Sequence, residues 1–102
     1  MYTEKDMYKE AIEEIFKKCQ ELLLTKHDEY ASEQNPYHNF DVAGELTGDG
    51  PYKALAGMMV KHTVSIYDMI ENPHIHSKEK WDEKIMDHIN YLAILRAMVV
   101  TA

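Results

Sequence analysis

Carboxylates that recur on one face of a helix can share a cation, and two stretches of this chain carry them. On the first, Tyr8, Ile12, Ile15, Cys19 and Leu22 follow the alternating steps of four and three that make one helical stripe. The same line continues as Lys26, Glu29 and Glu33, so the face turns from apolar to charged along its length. Charge on a core-facing line needs a partner or a metal, unless the helix end overhangs into solvent, and both readings stand. The second stretch repeats the change in reverse. At about 100° of rotation per residue, Glu83, Asp87 and Asn90 share a sector with Ile94 and pass into apolar side chains. Oxygen donors one turn apart suit Mg²⁺ or Mn²⁺, with water and a substrate phosphate completing the shell. A solvated first turn, where the helix dipole favours acids, is the other reading. It covers Glu79 and Asp82 better than Asp87 and Asn90, which lie deeper in the segment.

Between these stretches runs an apolar stripe through Leu55, Met58, Met59, Ile66, Met69 and Ile70, with His62 at its centre, read as a satisfied core histidine. Lys61, Ser65 and Asp68 share a neighbouring face. Lys61 there is either a phosphate-binding ammonium or part of a surface strip. Tyr30, Tyr37 and Tyr91 sit beside the charged stripes, placed to stack on a base or to wall a pocket. His74 and His76 read as exposed linker residues, and the methionines within helices as core filler. There is no glycine-rich phosphate loop and no nucleophile elbow, and Cys19 lies in an apolar stripe. Any catalysis is then metal-assisted attack of water on a phosphate.

The elements that must position these residues follow from the helix breakers. Thr3 with Asp6 marks a helix start, and Asn35-Pro36 stops that helix, predicting a first helix over about 3–33. Residues 36–50 form a connector with room for a short helix near 40–46. Asp49-Gly50-Pro51 opens a helix over about 51–71, ended by Asn72-Pro73, and Ser77 caps one over about 78–100. No segment alternates with period two. The expectation is one all-α domain over 1–102, an antiparallel bundle of three long helices. The first helix, about 45 Å long at ~1.5 Å per residue, exceeds the width of a compact domain of this size, so its stripe is expected to meet another subunit.

Composition narrows the partners. Eleven Lys and Arg against eighteen Asp and Glu leave 102 residues with a net charge of −7. That balance argues against DNA, RNA and anionic membranes, whose binding draws on cationic side chains. A lone cysteine and the lack of a basic-then-apolar N-terminus lead to the expectation of a soluble cytoplasmic protein.

The segment Glu83-Lys84-Ile85-Met86-Asp87-His88-Ile89-Asn90-Tyr91-Leu92 resembles the last acidic helix of the MazG-like all-α nucleoside triphosphate pyrophosphatases, and more closely small phage-encoded relatives of unassigned activity. Lys26, Glu29 and Tyr30, then Asn39-Phe40, then Lys61-His62, complete the similarity over about residues 20–98. The resemblance implies a helical dimer or tetramer that binds Mg²⁺ and splits a nucleotide into monophosphate and pyrophosphate. Glu29 and Glu33 stand for its first acidic pair and Asp87 for the aspartate of the second. The first pair is one residue wider than the family spacing, and Lys84 replaces a glutamate, with Glu83 as substitute. On this reading Glu29, Glu33, Glu83 and Asp87 hold metal, and Glu29 and Glu83 form the catalytic pair. Asn90, Lys61, Lys26, Tyr30 and Tyr91 contact the nucleotide. The alternative is a non-catalytic helical interaction or self-association module of phage origin.

Overall fold

The computed structural model describes the backbone of residues 1–30 and 35–102 and the side chains of residues 1–25 and 35–102. Among these residues the chain is all-helical, without a strand: α1 (Glu4–Tyr30), α2 (His38–Thr47), α3 (Pro51–Ile70) and α4 (Lys78–Val100). The connector thus holds a full short helix, longer by two residues at its start and one at its end than the expected 40–46.

Local chemistry sets the boundaries. Thr3 and Asp6 close a reciprocal cap: the Thr3 backbone N–H donates to Asp6 Oδ2 at 2.8 Å and the Asp6 N–H to Thr3 Oγ1 at 3.2 Å. Ser77 Oγ accepts from the Lys80 N–H at 3.1 Å and starts α4. Pro51, which has no N–H to satisfy, opens α3 behind Gly50. Before α2, Asn35 bridges the turn: its side-chain carbonyl accepts from the Tyr37 N–H at 3.0 Å and its amide donates to Asp41 at 2.9 Å. Gly44 sits where α2 meets the start of α3. A Cβ there would lie 2.3 Å from the carbonyl carbon of Gly50, so only glycine permits the approach.

Helix α2 packs on α3, α3 on α4, and α1, among the described residues, on α4 alone. Tyr52 reaches Met98, while His62 and Thr63 meet Asp87 and His88, so α3 and α4 run antiparallel. Glu14 pairs with Lys78 and Lys18 with Asp82, so α1 runs parallel to α4. Lys78 is the first residue of α4. Residues 4–13 of α1 therefore project past it by about 15 Å at ~1.5 Å per residue. The molecule measures 53 × 29 × 23 Å with a radius of gyration of 16.0 Å, against about 13 Å for a compact chain of this length.

The core lies on the other side of α4. Leu55 is fully buried, beside Phe40 and Met98, with Met58, Ile94, Leu95, Tyr37 and Tyr91 packed around them. Trp81 Nε1 donates to the Pro73 carbonyl at 2.8 Å and pins the link between α3 and α4. No helix among the described residues is long and apolar enough to cross a membrane.

Candidate functional site

A cleft of about 540 Å³ opens where the second half of α1, the start of α2 and the seam of α3 and α4 meet. Helix α4 supplies one wall, because Asp87, Asn90, Tyr91 and Ile94 recur at three- and four-residue steps and so share a face. Helix α3 adds His62, α2 and the turn before it add Tyr37 to Phe40, and α1 adds Leu23 and Leu24. The lining is mostly apolar and aromatic with a few polar groups, the usual make-up of a small-molecule site.

His62 Nδ1 stands 3.6 Å from Asp87 Oδ2, too far for a good hydrogen bond and close enough to form an ion pair when the imidazole is protonated. The Tyr91 ring is held between two others. Its centroid is 5.1 Å from that of His62 at a tilt of 38°, and 6.4 Å from that of Phe40 in an edge-on contact. Burial, then the charge of Asp87, pushes the Tyr91 phenol above its ordinary pKa. The same two causes, in the same order, push up the Cys19 thiol, which is buried under α4. A buried thiol held protonated is a poor nucleophile, as its place in an apolar stripe implied.

Asn90 is 9% exposed, and its Oδ1 is buried without a hydrogen-bond partner among the described residues. Leaving such an atom unpaired costs about 1–3 kcal/mol, a cost that a bound donor group would offset.

Of the residues singled out from sequence, Asp87, Asn90 and Tyr91 come together on this wall. Glu83 is exposed and lies outside the cleft, one turn nearer the start of α4. Lys61 is also exposed and off the lining, because one residue of helix turns it about 100° from His62. The half-buried Lys84 does not line the cleft either. Lys26, Glu29 and Tyr30, as side chains, and Glu33 altogether lie outside the described residues. Among the described residues no three His, Cys, Asp or Glu side chains gather to hold a metal. Asp87 is, among them, the one carboxylate on the cleft lining.

His62 was read as a core residue and stands instead at a cleft wall, with His38 and Asn39 as further polar lining that the residue pattern did not select. The Asn39-Phe40 pair was visible only as part of the family resemblance. Compared with protein families, with curated proteins and with solved structures, the chain matches none.

Proposed function

We propose that the cleft binds a nucleoside triphosphate and that the protein is a divalent-metal-dependent, cytoplasmic nucleotide pyrophosphohydrolase-like protein. The observation that carries this is Asn90, whose Oδ1 is buried without a partner among the described residues, on the lining of a cleft that is otherwise mostly aromatic and apolar. A nucleobase offers both what the amide oxygen lacks, an N–H donor, and a flat apolar face for a site lined by Tyr91, Phe40 and Leu23. Asp87 then lies on the phosphate side and His62 beside it, where a protonated imidazole would meet negative charge.

Mg²⁺ is commonly held by one or two carboxylates plus substrate phosphates, a demand that Asp87 meets in part. Glu29 and Glu33 are the further ligands taken from sequence, and Mn²⁺ would suit the same donors. Bound there, the ion would polarise the phosphate chain and lower the pKa of an attacking water. With a single described carboxylate on the lining, the metal is expected to enter with the nucleotide rather than ahead of it. Glu83 and Lys61 keep a role in this reading only if the bound phosphates extend past the cleft rim.

The test is pyrophosphate release from a panel of canonical and modified nucleoside triphosphates with Mg²⁺ or Mn²⁺. Release that falls at least about 100-fold in Asp87→Asn supports the reading, since transition-state contacts of this kind are worth several kcal/mol. No release from any of the panel removes the catalytic claim.

A separate observation favours self-association as a homodimer or homotetramer. Among the described residues nothing covers the apolar side chains of the α1 overhang and of the outer face of α3, so the bundle would be completed between copies.

A further inference from the structure

Helix α1 binds α4 through the line that includes Ile15 and the buried Cys19, and this line does not end where α4 ends. Tyr8 and Ile12, on nearly the same angular sector, carry it into the overhang, with Phe16 at its edge. They are 70%, 41% and 57% exposed. A stripe that seats a helix over part of its length thus continues with no helix against it among the described residues.

Helix α3 has the complementary deficit. Leu55, His62 and Met69 face α4, and at ~100° per residue Val60, Val64 and Tyr67 fall on the opposite side. These three are 57%, 52% and 67% exposed. A helix apolar on both faces is one that expects cover on both. Gly57 borders this outer face, and a Cβ added to it would meet nothing within 4 Å, so there is room beside the stripe for a bulky ring.

We propose that a second copy of the chain lays its α1 overhang along the outer face of α3, and that the contact is reciprocal about a two-fold axis. The overhang runs parallel to α4 and past its start, so it leads away from the α3 of its own chain. The area also decides for a reciprocal contact. With aromatic side chains burying about 150–250 Å² each, the six named residues expose on the order of 500–600 Å² per copy. Two copies covering both stripes would bury about 1,100 Å², near the ~1,200 Å² where specific interfaces begin, and a single stripe pair would bury about half of that. A two-fold pairing covers all four stripes at once.

The proposal names the faces behind the self-association reading and does not depend on nucleotide or metal. Sedimentation of the full chain, 11.9 kDa as a monomer, is expected to show a dimer at micromolar concentration. Tyr8→Glu and Val64→Lys are each expected to raise the dissociation constant at least about 100-fold, as central contacts do, with helix content unchanged because both sites are exposed. Ile12→Cys and Val64→Cys, purified separately, mixed and oxidised, should form a disulfide between the two different variants. A monomer at 100 µM overturns self-association itself, leaving the stripes to a foreign partner or to none. A dimer in which Ile12→Cys links to itself and not to Val64→Cys keeps self-association and overturns this pairing.

Discussion

Helices α2, α3 and α4 are held together by side chains that leave water, whereas α1 meets α4 through one narrow apolar line flanked by charges that stay half in water. On the first side Leu55 has no exposed surface, Phe40 and Met98 pack on it, and Gly44 lets two backbones touch. On the other, Lys18 and Lys78 bridge Glu14 and Asp82 in a four-residue network, with Cys19 as the one buried residue among the described side chains of α1. Exposed ion pairs contribute little and respond to salt, whereas buried apolar area does not. One chain of 102 residues thus holds a packed unit that carries most of the cleft lining and an arm seated on one helix, whose apolar stripe runs on past its seat.

The contrast can be broken most severely at Leu55. Leu55→Ala is expected to cost about 2–5 kcal/mol of global stability in denaturant unfolding, since the site has no solvent to relax into. A cost under about 1 kcal/mol would mean that the core does not centre there. Gly44→Ala comes next, at about 1–3 kcal/mol, because the new methyl would meet backbone rather than a movable side chain. Asn90→Leu should lower thermal stability by no more than about 1 kcal/mol, and is free to raise it by up to about 3, because it removes a buried amide oxygen that has no partner among the described residues. The same variant should abolish nucleotide binding. A large loss of stability would show that the amide serves the fold instead.

The smallest effect concerns the arm. Hydrogen bonds from Lys78 and Lys18 hold the Glu14 carboxyl at about 2, well below its ordinary 4.5. A depressed carboxylate stabilises above its unfolded pKa, and that contribution is lost as pH falls from about 4.5 towards 2. Amide exchange in residues 4–20 should therefore quicken over this window, relative to the intrinsic rate, while α3 stays protected. Equal loss of protection in α1 and α3 would dissolve the distinction between arm and core.

Much of the helical layout was legible because it depends on neighbours in sequence. Thr3 with Asp6, Ser77 with the Lys80 N–H, and Pro51 each act within one turn, so α1, α3 and α4 begin within a residue of expectation. What depends on register between helices was not legible. The offset that sets Glu14 against Lys78 creates the overhang, and no periodicity encodes an offset. His62 shows the same limit: an apolar stripe says which face turns inward, but not whether that face meets a core or the wall of a cleft. Glu83 and Lys61 failed to join the lining for geometric reasons, one being a turn too early on α4 and the other turned about 100° from its neighbour. Asp87, Asn90 and Tyr91 were readable because a polar group followed by a continuous apolar run marks where an inward face changes its task.

The central claim is that this cleft takes a nucleotide through Asn90. It is tested most directly by titrating the isotopically labelled full chain with a non-hydrolysable nucleoside triphosphate analogue and Mg²⁺, followed by nuclear magnetic resonance. The account predicts saturable shifts centred on the Asn90 side-chain amide, with Tyr91 and His62 moving in step. No shift at these residues at millimolar analogue, or shifts confined to the α1 overhang, would contradict it.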